Sequence, residues 1–197
     1  MPPFTILHVC MGNICRSPMA ERLLVRAARD HRDVDITELV FSQSAGTGGW
    51  HEGEPMNPPA ARQVLARGGD DTGFAARKLR GEFVDAADLV LTATADQVEY
   101  VVSLRPDAVA RTFVLGQFGR LLAQADLSDL PRADGTPDGV YARGVALVAA
   151  VDRVRAGADP LPTDDLDDPW GRGDGFFGRV ADDIDATVRP LTAALLG

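Results

Sequence analysis

A cysteine, five residues, an arginine and a serine follow one another in Cys10-Met11-Gly12-Asn13-Ile14-Cys15-Arg16-Ser17. These residue types at this spacing suit nucleophilic attack on a tetrahedral dianion. A loop of this length can curl so that successive backbone N–H groups face inward, and the first free N–H groups of a following helix add partial positive charge. Such surroundings, with Arg16 beside them, favour the thiolate of Cys10, the form that attacks. The planar guanidinium of Arg16 can hold two equatorial phosphate oxygens, and its grip tightens as charge spreads over them in the transition state. Ser17 can donate its hydroxyl to the sulfur, and it also suits a helix N-cap. Gly12 permits close backbone approach or a positive φ, Asn13 tolerates left-handed geometry and can brace the loop, and Met11 and Ile14 offer apolar contacts. Cys15 has two open roles. A curled loop can bring its Cα within the roughly 4.4 to 6.8 Å of Cys10 that a protective disulfide needs, or the residue is a small buried packing group. No G-x-x-x-x-G-K-[ST] segment occurs, so the loop is not a nucleotide-binding loop of the Walker kind.

Such a loop must be carried by a strand end and a helix start, and the flanking residues predict both. Phe4-Thr5-Ile6-Leu7-His8-Val9 reads as a buried first strand ending at Cys10. After Ser17 as the cap, Pro18 suits a first helical turn, and Met19, Leu23, Leu24 and Ala27 recur at helical spacing. Further strands are expected at Leu39-Val40-Phe41, Asp88-Leu89-Val90-Leu91 and Thr112-Phe113-Val114-Leu115, with helices around 60–66, 96–104 and 117–123. This alternation predicts an α/β fold, a parallel sheet with helices on both faces. Ligands of such sheets bind beyond the carboxyl ends of the strands, where Cys10 falls. The stretch 126–162 is rich in Pro, Gly and Asp at both ends and has a helical pattern over 141–155. It reads as a helical insertion in a single domain spanning 1–197. An acidic loop, 164–168, leads into Pro169-Trp170-Gly171, and a terminal helix is expected over 177–196, kinked at Pro190.

With 197 residues, 45% of them hydrophobic and 25% charged, the chain can bury one good core. Twenty basic against twenty-nine acidic residues give a net charge of −9, and without a Lys/Arg cluster no nucleic-acid partner is expected. A phosphate substrate must then be met by local positive potential from backbone N–H groups and one arginine. No run of eighteen apolar residues offers a membrane span, and MPPFTILHVC lacks the marks of a signal peptide. The two cysteines, both in the loop, fit a reducing compartment, so a cytoplasmic protein without a membrane partner is expected. Only His8 lies nearby as a further metal ligand, so neither a metal site nor another cofactor is expected.

The segment V-C-M-G-N-I-C-R-S-P-M-A-E, residues 9–21, resembles the signature of the low-molecular-weight protein tyrosine phosphatases. Ser44-Ala45-Gly46-Thr47 followed by Trp50-His51 is similar to that family's second-strand end and active-site wall, and Asp168-Pro169-Trp170-Gly171 to its late Asp-Pro-aromatic loop. Ala76-Arg77-Lys78-Leu79 and the strand beginning at Asp88 fall in the family's order. The resemblance covers most of the chain apart from 126–162. It implies a four-stranded parallel sheet, a cysteinyl-phosphate intermediate, no metal, and a phosphotyrosine-containing protein as substrate. It also implies Asp168 as general acid and Ser44 as a support beneath Asn13. The chemistry agrees, because a phenolate leaving group of pKa about 10 benefits from a proton delivered as the P–O bond breaks. Asp164, Asp165 and Asp167 are rival carboxylates, each of which composition alone reads as a solvated loop charge. Trp50 and Trp170 would wall a slot deep enough for an aryl phosphate, with core packing as the competing role of each.

The chain departs from the family at Asn57-Pro58-Pro59-Ala60, where D-P-R-A is frequent, at Phe74, where a histidine is frequent, and at Thr92-Ala93-Thr94, where M-D is frequent. These changes touch the substrate rim and leave the loop and the acid intact. Two other functions fit the loop. Arsenate reduction with an external small thiol is one; a thioredoxin-coupled version needs cysteines downstream of Cys15, and there are none. A non-catalytic phosphate-binding module is the other. The complete set of Cys10, Arg16 and Asp168 favours the phosphatase, since binding alone needs neither nucleophile nor acid.

Overall fold

The computed structural model describes residues 1–31 and 36–197. Strands β1 (Phe4–Cys10), β2 (Val40–Gly46), β3 (Leu89–Thr92) and β4 (Thr112–Val114) form one parallel sheet in the order β2-β1-β3-β4. The first strand is central, paired from Phe4↔Val40 to Cys10↔Gly46 on one side and from Ile6↔Leu89 to Val9↔Thr92 on the other. All seven of its residues are buried. Their side chains alternate between faces, so Phe4, Ile6 and Cys10 enter one apolar cluster while Leu7 and Val9 enter another. That is why the segment reads as a nearly continuous apolar run.

The helices are α1 (Arg16–His31), α2 (Pro58–Ala66), α3 (Gly81–Asp85), α4 (Ala95–Leu104), α5 (Leu115–Leu122), α6 (Pro137–Arg155) and α7 (Asp174–Leu196). The first, second, fifth, sixth and seventh contribute to the larger cluster, and α3 and α4 to the smaller, so both faces of the sheet are covered. α1 packs against α7, and its stripe Met19, Leu23, Leu24 and Ala28 is fully buried. No helix among the described residues is long and apolar enough to cross a membrane.

The structure differs from the sequence expectations in several places. α1 begins at Arg16, so Ser17 lies inside the first turn and is not the N-cap. Its hydroxyl is engaged by Cys10 and Asn13 instead. Pro18 is the third helical residue, where no intrahelical N–H bond is lost. β2 runs on to Gly46 through Ser42, Gln43 and Ser44, because the buried polar side chains find partners: Gln43 Oε1 accepts from Arg77 Nη2 at 3.0 Å. Asp88 precedes β3 rather than opening it, its carboxylate accepting the Thr5 N–H at 2.8 Å and the Tyr141 hydroxyl at 3.0 Å. α7 continues through Pro190. Within 126–162, α6 starts on a Thr136 cap, whose Oγ1 accepts the Gly139 N–H at 3.0 Å, and ends at Ala156 with φ 49°. It is laid into the main core, with Val140, Leu147 and Val151 fully buried.

Candidate active site

The loop between β1 and α1 curls over the end of β2. The carbonyls of Cys10, Met11 and Ile14 accept N–H bonds from Thr47, Gly48 and Asn57 at 2.9, 2.9 and 2.8 Å. No peptide is cis. In a planar trans peptide the N–H opposes the C=O, so the N–H groups of Met11, Gly12 and Cys15 point to the concave side. Gly46 makes the packing possible, since a Cβ there would lie 2.8 Å from the Met11 carbonyl oxygen and 3.0 Å from the Asn13 nitrogen. Asn13 takes the left-handed conformation, φ 55°, and its own amide secures it. Nδ2 donates to Ser17 Oγ and Ser44 Oγ, both at 2.9 Å, and Oδ1 accepts the Arg77 N–H at 2.9 Å. Ser44 in turn donates to Glu21 at 2.6 Å, a carboxyl whose pKa burial pushes up.

Inside this frame Cys10 is almost wholly buried, with Sγ 3.0 Å from Ser17 Oγ and accepting the Asn13 N–H at 3.3 Å. The sulfur thus faces one backbone donor and one hydroxyl. Arg16 is buried too. Nη1 donates to the Leu166 carbonyl at 3.2 Å, Nη2 lies 3.6 Å from Asp168 Oδ2, and Nε has no acceptor among the described residues. A buried N–H without a partner is costly unless a ligand accepts it, so this guanidinium is suited to an oxyanion. Burial, then the charges of Cys10 and Asp168 working against Arg16, push the Cys15 thiol up to about 12. It stays protonated at neutral pH and lines the same cavity as Cys10, and both cysteines are free.

The four rival carboxylates have four different surroundings. Asp164 is buried and accepts from Arg120 Nε at 2.9 Å, Arg120 Nη2 at 2.7 Å and the Leu161 N–H at 2.8 Å. Asp165 accepts the Ala95 N–H at 2.9 Å. Asp167 is exposed. Asp168 alone of the four lines the same cavity as Cys10 and Arg16, with its side chain 53% exposed and Oδ1 accepting the Trp170 N–H at 3.2 Å. Leu166 fixes this segment from below, its N–H donating to the Ala93 carbonyl at 2.8 Å.

The cavity is lined by Cys10, Met11, Gly12, Ile14, Cys15, Arg16, Trp50, His51, Asp168 and Trp170. Trp50 and Trp170 are 71% and 58% exposed, so neither is a core residue. Asn13 and Ser17, expected to touch substrate, stand behind the loop with Ser44, because the left-handed turn directs the Asn13 amide away from the cavity. Gly12 does not have a positive φ; its missing Cβ makes room for His51, whose Cδ2 would lie 3.2 Å from it. By resemblance His51 falls with Trp50 in the active-site wall, but the sequence reading gives it no role and leaves out Glu54, although a histidine and an acid three residues apart are a visible signal. His51 Nδ1 lies 2.7 Å from Glu54 Oε2. Among the described residues no three His, Cys, Asp or Glu side chains gather as a metal ligand set.

The family model described as low molecular weight phosphotyrosine protein phosphatase matches residues 5–147. A low molecular weight protein-tyrosine-phosphatase of Streptomyces coelicolor is 36% identical over 157 residues, 75% of this chain and 93% of that one. Etp of Escherichia coli K12, a protein of the same description, is 33% identical over 125 residues, 64% and 76% of the two chains. Among solved structures, the tyrosine phosphatase Wzb from Escherichia coli K30 in complex with sulphate has a TM-score of 0.65 at 20% identity, covering 96% of both chains. The YwlE arginine phosphatase from Geobacillus stearothermophilus has 0.64 at 24% identity, covering 97% and 92%. The fold is therefore shared by proteins named for two different phosphorylated residues. On the sequence matches, the chain belongs to the low molecular weight phosphotyrosine protein phosphatase family.

Proposed function

We propose that the chain hydrolyses phosphotyrosine in proteins through a cysteinyl-phosphate intermediate, with Cys10 as nucleophile, Arg16 as phosphate clamp and Asp168 as acid and base. The carrying observation is that the Cys10 sulfur, the unpartnered buried Nε of Arg16 and the Asp168 carboxylate share one cavity rimmed by two exposed tryptophans. The thiolate attacks phosphorus, the P–O bond to the phenol breaks, and the proton of Asp168 passes to the departing oxygen. Water then attacks the phosphocysteine and gives its proton to the Asp168 carboxylate, while Cys10 leaves as thiolate and inorganic phosphate is released. The Ser17 hydroxyl, 3.0 Å from the sulfur, eases that departure. Loop N–H groups and Arg16 take the charge on the equatorial oxygens throughout. Two free thiols, one of them the nucleophile, suit a reducing cytoplasm.

The aromatic rim supports an aryl phosphate, since a flat ring can lie between indoles while its phosphate reaches the base of the loop. The test is turnover of phosphotyrosine, phosphoserine and phosphoarginine peptides by wild type, Cys10→Ser and Asp168→Asn, with arsenate-dependent thiol oxidation run alongside. The expected result is preference for phosphotyrosine, no turnover by Cys10→Ser and no arsenate-dependent oxidation. Undiminished hydrolysis by Cys10→Ser would sink the mechanism, and a preference for phosphoarginine would sink the substrate.

A further inference from the structure

The segment that carries Asp168 crosses the cleft as a strap. Upstream it is tied by the Arg120 pair to Asp164 and by the buried Leu166; downstream it is tied where Arg62 grips Asp174 through Nε at 3.1 Å and Nη2 at 2.6 Å. Between these ties, only Pro169 of residues 167–173 is buried. At mid-span the Trp170 ring meets the His51 ring, with centroids 5.7 Å apart and planes at 43°. His51 is itself held on three sides. Glu54 takes Nδ1, the ring lies on the phosphate loop where Gly12 has no side chain, and the turn beneath is pinned by Gly53 N–H to the Ala76 carbonyl at 2.7 Å and by Ala76 N–H to the Glu54 carbonyl at 2.8 Å.

We propose that His51, oriented by Glu54, is a positioning residue: it links the phosphate loop to the strap, holding Trp170 and through it setting the Asp168 carboxyl over the leaving-group oxygen. The inference rests on the reading of Asp168 as the acid. The imidazole takes no proton from the substrate and forms no bond to it. Its contribution is geometric, a ring of the right thickness between Gly12 and Trp170, so it acts on the step in which the P–O bond breaks and the proton moves from Asp168 to the phenol oxygen.

Two substrates with one phosphate and different leaving groups test this. Phenyl phosphate leaves as a poorly stabilised phenolate and needs the proton, whereas p-nitrophenyl phosphate leaves as a far better anion. His51→Ala is expected to lower kcat/KM for phenyl phosphate about 10-fold, a fraction of what a general acid contributes, and for p-nitrophenyl phosphate less than about 2-fold. Glu54→Ala is expected to shift the ratio the same way by a smaller factor, and His51→Phe, which restores a ring, to return it close to wild type. Affinity for inorganic phosphate, read by competitive inhibition, should stay unchanged in all three. Equal losses on both substrates in His51→Ala, or no rescue by His51→Phe, would overturn the proposal. Asp168→Asn is the control that separates the two readings. If it shifts the ratio strongly while His51→Ala does not, the positioning role alone fails; if its own ratio stays at the wild-type value, Asp168 is not the acid and both readings fall.

Discussion

The loop at 10–17 and the strap at 165–173 face each other across one cavity and are held in opposite ways. In the loop every residue but Met11 and Gly12 is buried, and the side chains of Asn13, Ser17 and Ser44 form a bracing network that the Arg77 backbone N–H completes. The strap is exposed beyond Leu166 except at Pro169, is tied at its two ends, and meets the opposite wall through the Arg16 bond to the Leu166 carbonyl, the approach of Arg16 to Asp168 and the ring contact of Trp170 with His51. On the proposed mechanism, phosphate capture sits in a part whose geometry is over-determined, and proton delivery in a part with few buried contacts, the kind that opens locally at low free-energy cost. One half would then recognise a charge distribution common to all phosphate monoesters, and the other would distinguish leaving groups.

Substitutions that strike one side only make this contrast measurable. Cys10→Ser removes the chemistry of the loop and is expected to lower the rate by about 10⁵-fold or more, while inorganic phosphate still binds in a titration. Asp168→Asn strikes the strap. Its expected loss in kcat/KM on phenyl phosphate is about 10²- to 10³-fold, much less on p-nitrophenyl phosphate, with the melting temperature unmoved because the side chain is half exposed. A loss of equal size on both substrates would mean that the strap does not carry the acid.

Ser44→Ala attacks the loop from beneath. It strips a buried amide hydrogen of Asn13 and the partly buried Glu21 carboxyl of a partner, so urea unfolding should show a loss of about 2 to 3 kcal/mol. Activity should fall to the same degree on both leaving groups, the signature that distinguishes loop damage from strap damage. The smallest effect concerns His8 in the strand beneath the loop. Burial lowers its pKa from 6.5 to about 3, so the ring is neutral in the folded protein. As pH falls below about 6.5 the unfolded chain takes up this proton first, so the stability contribution is complete above that pH and is lost toward pH 3. Between pH 7 and 5 this group removes about 2 kcal/mol, and His8→Leu should flatten that part of the urea midpoint profile.

The same contrast decides what could be read from sequence. The loop is contiguous, and its strand, its curl and its helix each leave a local mark: an apolar run before Cys10, Gly12 and Asn13 within, and helical periodicity after Pro18. The hydroxyl chemistry of Ser17 suits both a cap and a partner of sulfur, and the position of the Cys10 sulfur decides between them. The sequence pattern predicts too short a β2 because Ser42, Gln43 and Ser44 look like a loop until Arg77, Glu21 and Asn13 arrive from distant segments to satisfy them. Asp-Pro-Trp singles out Asp168, which lines the cavity, yet the surroundings of Asp164 and Asp165 depend on Arg120 and Ala95, which no spacing within the acidic run reveals. His51 acquires meaning only when Trp170, far along the chain, is brought against it.

The hydrogen bond from Arg16 to the Leu166 carbonyl spans 150 positions of sequence. At about 5 to 20 residues per second of synthesis, the second partner is made roughly 8 to 30 seconds after the first. On the proposed mechanism, a nascent chain holds its nucleophile through that interval without its proton donor. The Cys10 sulfur is thus made well before the segment that carries Leu166 and Asp168 and lies against Arg16.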